Sequence, residues 1–459
     1  MVFKANTNYT DDTHNEPKRF EMCYVDADTI LHQAAAALQQ SYINVTHKGS
    51  GNVKRFTNKT AFGVRAGKIV EWNPDKDTLH QGVAATKWLG HQNYVRSLKD
   101  QRPFTLDDFE IEEMSELKPE YSNIEDALDY GLSSIGFVVG GIKKYADSDD
   151  YKLIISGGNG NYRKGEAKTL KYKGNRSDKP ILYLELREAM VAQYKQRMMF
   201  ADNCEAEDLC GWYAKEEEKR VGEDFGNWKV CISYIDKDVD HVYAPSINYS
   251  KFDEGFRFPT KLECTKCLVT QIVCGDTACD NIQGLPNLTK DVTSKYGMRA
   301  ASGCGKQTAM NLLEHADTEK EMYERAVFAY QSYYGMEPVT FDDWEGNELW
   351  WTWLDFMQET SILVKMQDFE GEMFSVAEKL NELDIDFTKE LYKVAEPELN
   401  EDSVVLDLLD KLAKDLTEIT DNCKPKKSEK KDLQVARLEY TFDKLNELQS
   451  NLINFYKEN

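Results

Sequence analysis

Three carboxylates stand within four residues at Glu205-Ala206-Glu207-Asp208, where the chain turns apolar and helical. Like charges set this close repel unless something positive holds them. Acids favour a helix N-terminus, so a capped surface helix is the plain explanation. Similar groups recur, however. Asp26 and Asp28 follow the apolar run Phe20–Val25, and Asp236 and Asp238 follow Trp228–Ile235. Asp276 and Asp280 come soon after Leu268–Val273. Carboxylates at strand ends converge at one edge of a parallel sheet, where open α/β sheets place their sites. Hard oxygen ligands gathered there suit Mg²⁺ or Mn²⁺. Two such ions roughly 4 Å apart activate water and stabilise the leaving oxygen in phosphodiester hydrolysis.

A polyanionic substrate also needs a grip. Arg163, Lys164, Lys168, Lys171, Lys173, Arg176 and Lys179 form a basic track against Glu166 and Asp178. The net charge of −23 excludes nucleic-acid binding over the whole surface but leaves room for a local track. Gly303-Cys304-Gly305 before Lys306 offers exposed backbone N–H groups to a phosphate. It is not a Walker A loop: position 300 is Ala, and Gln307 follows Lys306 where Ser or Thr is required. A helix-hairpin-helix that holds the duplex backbone without reading bases fits, with an ordinary helix cap as the alternative. Cys264-x-x-Cys267, with Cys274 and Cys279 beyond, has spacing that suits a zinc knuckle.

These groups need elements to position them. A chain of 459 residues has room for two to three domains. Residues 1–19 read as a loose polar tail, 20–270 as an α/β core, 271–367 as a hairpin region with following helices, and 368–459 as an acidic helical extension. Phe20–Val25, Leu153–Ser156 and Trp228–Ile235 are predicted as buried strands. Ile30–Ser41, Ile124–Tyr145, Ile181–Met198 and the charged run through Arg220 are predicted as helices. Gly131, Gly136, Gly140 and Gly141 weaken the second of these. Residues 42–121 read as an insertion, with a hairpin over Lys54–Val70, a helix over Val83–Leu98 and an acidic loop over Phe104–Leu117. A late helix is expected to carry Trp350, Trp351 and Trp353. Val435, Leu438, Phe442, Leu445, Leu452 and Tyr456 form a heptad-like stripe that packs back on the protein or meets a partner helix. Lys424–Lys431 precedes it as a linker or a weak phosphate-binding patch. No run reaches membrane-spanning length, the N-terminus lacks the apolar core of a signal peptide, and the ten cysteines point to a reducing compartment, the cytoplasm.

In order along the chain, five segments resemble motifs of the bacteriophage 5′-nuclease family, the 5′→3′ exonucleases and flap endonucleases that include phage RNase H. They are Tyr24-Val25-Asp26-Ala27-Asp28, Tyr172-Lys173-Gly174-Asn175-Arg176, Glu205-Ala206-Glu207-Asp208, Ile235-Asp236-Lys237-Asp238, and Gly275-Asp276 with Asp280-Asn281-Ile282-Gln283-Gly284. The match spans roughly Phe20 to Leu313. The resemblance implies a PIN-like core with a mostly parallel central sheet, a helical arch at 163–200 and a helix-hairpin-helix. It implies a first metal group of Asp26, Glu205, Glu207 and Asp208 that draws also on Asp236 and Asp238. Asp276 and Asp280 match the second metal position. Lys173 matches the lysine that approaches the scissile phosphate, with Arg176 beside it. The family's hairpin also binds K⁺ against DNA phosphate, here at Gly303, Gly305 and Lys306.

Three departures stand out. Gly157-Gly158-Asn159 lies where many members carry a loop aspartate. Asp276 and Asp280 are separated by three residues rather than two. An insertion, about Asn287 to Ala301, interrupts the hairpin. The expected activity is a Mg²⁺-dependent 5′→3′ exonuclease or flap endonuclease acting on DNA 5′ ends, flaps and RNA primers in RNA–DNA hybrids during phage replication. A PIN-type endoribonuclease and a non-catalytic DNA-binding replication factor are the alternatives. The C-terminal helices are the expected contact for replication proteins, and no membrane is involved.

Overall fold

Phe20–Asp26 (β1) is the central strand because both of its neighbours are parallel and apolar. The computed structural model of the chain describes residues 18–391, apart from residues 81, 82, 85, 177 and 300. Most of the expected tail, the Lys424–Lys431 linker and the Leu433–Tyr456 stripe lie outside the described residues. Beyond β1, the central sheet contains Ser148–Asn161 (β2), Met198–Asn203 (β3), Val230–Tyr234 (β4), Ser246–Asn248 (β5) and Phe256–Arg257 (β6). Its order is β3-β2-β1-β4-β5-β6, parallel throughout except for the antiparallel pairing of β6 at the edge. Register places Asp26 opposite Ile154 and Val25 opposite Ser233.

A parallel sheet covered on both faces needs strands that are apolar on both sides. Leu153, Ile154 and Ile155 meet that condition, and all three are fully buried. Ile155 packs with Asp28–Leu38 (α1), Ile124–Tyr145 (α2) and Tyr183–Tyr194 (α3) through Leu31, Ile135, Leu186 and Met190. Ile154 and Ile232 pack on the other face against Leu209, Cys210 and Ala214 of Ala206–Val221 (α4). Two of the four glycines of α2, Gly131 and Gly141, have a packing reason. A Cβ at Gly131 would meet Leu186 at 2.8 Å, and one at Gly141 would meet the Phe252 ring at 2.6 Å. The helix gives up about 1 kcal/mol of propensity at each and gains close approach. Asn123 caps α2 by accepting from the Asp126 N–H at 2.9 Å.

Several local expectations are corrected. Phe109–Leu117 is a strand, not a loop, and pairs antiparallel with Gln39–His47. Phe109 and Ile111 pack into a separate core with Ile43, Val45, Phe62 and Leu89, while Glu110 and Glu112 face water. Val53–Phe56 pairs with Gln39–His47 as well, so the hairpin is shorter than expected, running from Val64 to Ile69. The following helix covers Trp88–Ser97. The run expected to arch from residue 163 to 200 is helical at Arg163–Glu166 and again at α3. Between them the described residues are turn and coil, and α3 lies packed on the core.

Leu268–Val273 belongs to a helix, Lys261–Cys274 (α5), opened by a Thr260/Glu263 capping box. Asp276 therefore follows a helix, in the short ribbon Gly275–Asp276 against Ile282–Gln283. Gly275 has φ +64°, and a Cβ there would run into the backbone of Ile282 and Gly284. The insertion forms the helix Lys290–Lys295 (α6), and its base is closed by Cys304 N donating to Pro286 O at 2.9 Å. Lys306–Leu312 (α7), Glu319–Tyr334 (α8), the hairpin Val339–Asp342/Glu348–Trp351, Trp353–Val364 (α9) and Val376–Glu382 (α10) complete the described chain. Trp350 and Trp351 thus lie on a strand, and Trp353 opens α9. Among the described residues no helix is long and apolar enough to cross a membrane.

Candidate metal and phosphate site

The last residue of β1, Asp26, is fully buried at the C-terminal edge of the sheet. Its Oδ1 accepts from the Asp28 N–H at 3.2 Å, while Oδ2 accepts no hydrogen bond. Burial, with the nearby charges of Asp28, Asp236 and Glu205, holds its carboxyl well above the usual range. Asp28 opens α1. Both its oxygens take the Ser156 N–H at 3.1 Å, and Oδ2 also takes the Ser156 hydroxyl. Burial still raises it.

Glu205 is the N-cap of α4, and Glu207 and Asp208 occupy its first turn. One carboxylate cluster therefore splits three ways. Glu207 is half-buried and pushed well above its ordinary value by burial, Asp26 and Glu205. Glu205 faces the loop that carries the basic track. Its Oε1 accepts from Asn161 Nδ2 at 2.7 Å, from the Tyr172 hydroxyl at 3.2 Å and from Lys173 Nζ. Burial opposes its charge, but Lys173 and Arg163 outweigh burial and bring the carboxyl down to about 2.

Asp208 and Arg163 both stand elsewhere than expected. Each is 0 % exposed, and they form a bidentate pair with N···O distances of 2.7 and 2.9 Å. Asp208 also accepts from Glu205 N at 2.8 Å and Gln367 N at 2.9 Å, which spends its lone pairs away from the acidic edge. Arg163 completes its fork on Leu363 O at 3.0 Å and Lys365 O at 2.9 Å. Arg163 is thus no surface grip on DNA, and Asp208 is no open metal ligand. The only hint in sequence is that Arg163 is an arginine in a stretch that is mostly lysine, since arginine is the side chain suited to buried, bidentate pairing.

The other members of the track divide. Lys173 sits at φ +55°, its N–H donates to Asp280 O at 2.8 Å, and its ammonium reaches Glu205 with Asp280 Oδ2 3.7 Å away. Arg176 donates to Asp280 Oδ1. Tyr172, missed in the sequence, is buried with its hydroxyl 3.1 Å from Asp280 and 3.2 Å from Glu205. Asn175 Nδ2 to Thr277 O at 3.0 Å and Asn281 Nδ2 to Lys171 O at 2.9 Å zip the two loops together. Lys164 and Lys171 are exposed, and Lys168 is half-buried.

Asp236 follows β4 close enough to raise Asp26. The Asp238 side chain lies outside the described residues, although its backbone continues the turn Lys237–His241. Lys237 Nζ is 2.8 Å from Asp276 Oδ2, and Cys279 N donates to Asp276 Oδ1 at 3.1 Å. Asp276 and Asp280, both buried, are therefore matched by cations of the chain itself. Gly303, Gly305 and Lys306 form a turn packed on the end of α5, where Cys304 Sγ lies 3.9 Å from Val273 O. Gly305 and Lys306 are exposed there, and α7 begins without a side-chain cap.

Gly157-Gly158-Asn159, expected as a loop, lies within β2, and Asp202 on the neighbouring strand fills the space beside Gly157. A Cβ at Gly157 would collide with the Asp202 carboxylate on β3. Asn159's side chain is outside the described residues.

The donor chemistry fits a hard cation at one end of this edge. Asp26 Oδ2 is a buried carboxylate oxygen without a donor, and Asp26 helps to raise Glu207. Yet among the described residues no three His, Cys, Asp or Glu groups stand gathered as a ready metal site. That includes the cysteines: Cys264 and Cys267 lie along α5, and Cys274 and Cys279 lie at and beyond its end. No protein-family model matches this chain, and no curated protein does.

Proposed function

We propose that this protein is a Mg²⁺-dependent nuclease of 5′ ends, with a PIN-like core akin to the phage 5′-nucleases, acting on flaps, nicks and RNA primers. The observation that carries the reading is Asp26, a fully buried carboxylate with a donorless oxygen at the C-terminal edge of a parallel sheet. A charge so placed calls for a cation. Asp26, Glu207, Glu205 and Asp236 would hold one ion, and Asp276 and Asp280 a second. A bound Mg²⁺ supplies an activated water and charge neutralisation at the phosphate. The chain's own residues do the positioning. Lys173 and Arg176, drawn toward carboxylates here, are the cations that meet phosphate oxygens. Tyr172 orders Glu205 and Asp280 with a single hydroxyl proton.

The test is digestion of 5′-labelled flap, nicked and RNA-primed duplexes with Mg²⁺, with product lengths resolved. Asp26→Asn abolishes cleavage and retains binding in EDTA, and Lys173→Ala slows cleavage more than it weakens binding. Undiminished cleavage by Asp26→Asn sinks the site. Faster cleavage of single-stranded RNA than of flaps supports an endoribonuclease instead.

One observation favours a second reading, a non-catalytic DNA-binding factor. Lys173, Arg176 and Lys237 already neutralise Glu205, Asp280 and Asp276, and Arg163 takes up Asp208. Calorimetry showing no Mg²⁺ or Mn²⁺ uptake that depends on Asp26 decides for it.

A further inference from the structure

We propose that Trp344 is a stacking platform for an unpaired nucleic-acid strand lying along Lys164, Lys168 and Lys171. The inference rests on the nucleic-acid reading above and names the part of the substrate this surface takes. The hairpin Val339–Asp342/Glu348–Trp351 folds back on the basic track, and Trp344 is its point of attachment. Its backbone N–H donates to Lys168 O and its indole Nε1 to Ala167 O, both at 3.0 Å. The turn beneath is stiffened by Asp343, whose Oδ1 accepts from Glu345 N at 3.0 Å and Asn347 N at 2.8 Å. Asp343 is buried, and alongside its hydrogen bonds from Asn347, Lys168 lies close enough to help hold its carboxyl below the usual range. The track is anchored from below in the same way. Glu359 on α9 accepts from Lys168 N and from Thr169 N at 2.8 Å.

The ring is therefore fixed by one edge while 40 % of the residue stays exposed. A purely structural plug would bury the indole with its N–H. Here the polar edge is satisfied and ring surface is left to solvent. The Lys171 ammonium stands 5.5 Å from the ring centroid. Arg163, Lys173 and Arg176 are the track members tied into carboxylate pairs; of the other four, Lys179 stands over the Tyr183 ring, and the strand follows Lys164, Lys168 and Lys171. Lysines beside a rigid, half-exposed aromatic form the combination that binds single strands, because every base offers a π-face whatever its identity. Duplex bases already stack on each other, so the fitting ligand is an unpaired segment such as a 5′ flap.

The experiment uses the full chain in EDTA, so that cleavage plays no part, with two fluorescent probes: a duplex bearing an oligo-dT 5′ flap and a blunt duplex. Trp344→Ala weakens flap binding roughly tenfold and leaves the blunt duplex unchanged. Trp344→Phe keeps a ring but loses the bond to Ala167, and it retains most of the flap affinity. Lys171→Ala lowers the salt slope by about one for the flap probe. Equal losses on both probes, or a Phe variant as weak as the Ala variant, show that the indole merely docks the hairpin and overturn the platform. Normal flap binding by Trp344→Ala overturns it while leaving the nuclease reading intact. Failure of the unaltered chain to bind either probe overturns both.

Discussion

Replacing Arg163 with methionine tests the least expected feature of the site. The side chain is fully buried and makes four hydrogen bonds to oxygen, two on Asp208 and one each on the carbonyls of Leu363 and Lys365. Methionine fills comparable space and supplies none of them. Removing one partner of a buried ion pair costs about 3–5 kcal/mol, because the other charge stays behind in the interior. Asp208 keeps the N–H groups of Glu205 and Gln367, which soften that loss. The two carbonyls lose a donor, which adds about 1–3 kcal/mol for a buried unsatisfied group. The expected cost of Arg163→Met is therefore near the top of the about 3–5 kcal/mol range. Asp208→Leu alone strands the guanidinium and costs about as much. The double variant removes both charges and costs less than the sum of the two, although the carbonyls of Leu363 and Lys365 and the N–H groups of Glu205 and Gln367 lose their partners. Urea unfolding followed by tryptophan fluorescence measures all three. A cost below about 1 kcal/mol for Arg163→Met, the level of an exposed pair, refutes the assignment of a buried structural pair. So would additive losses in the double variant, because partners in contact do not add.

Two further outcomes concern pH. Asp26 and Glu207 have raised folded-state values, so their neutral forms favour the fold in acid and that contribution fades as pH rises through those values. A cation takes the place of those protons, so Mg²⁺ raises the melting temperature more at pH 8 than at pH 5. Asp26→Asn removes the difference, and an equal shift at both pH values counts against the site. His241 behaves in the opposite sense. Its Nε2 accepts from Met366 N at 2.9 Å, so the proton lies on Nδ1, facing Gln271 Oε1 at 3.3 Å. Burial and Lys365 lower it to about 4. Its contribution is complete above its ordinary value near 6.5 and is lost as pH falls toward about 4. His241→Gln flattens stability across that window, and an NMR titration of the ring near its ordinary value refutes the buried neutral form.

The three buried strands were legible because parallel strands packed on both faces read as plain apolar runs. Convergence of Asp26, Glu205 and Asp236 follows from that topology. Phe109–Leu117 was not legible: Glu110, Glu112, Glu113 and Glu116 obscure its alternation, and its pairing with Gln39–His47 is long-range. Asp276 looked like a strand-end acid because Leu268–Val273 is apolar, yet the Thr260–Glu263 capping box already marked a helix. What composition hid most was the pairing of charges. A basic track reads as one surface, but Arg163 is interior, Lys173 and Arg176 face carboxylates, and Lys164 faces water. Which lysine or arginine meets which acid depends on side-chain geometry across distant segments, and no local pattern carries it.

The buried pair also has a consequence in time. Leu363 follows Arg163 by 200 residues, and Gln367 follows Asp208 by 159. At about 5–20 residues per second, a ribosome needs on the order of 10–40 s to bridge the longer interval. Until then the guanidinium lacks its carbonyls and the first turn of α4 lacks one of its clamps. The sheet and its covering helices precede this closure in the chain, and the charge pair joins them late. Arg163 and Asp208 therefore tie the first turn of α4 to the end of α9 only when the chain through Gln367 arrives.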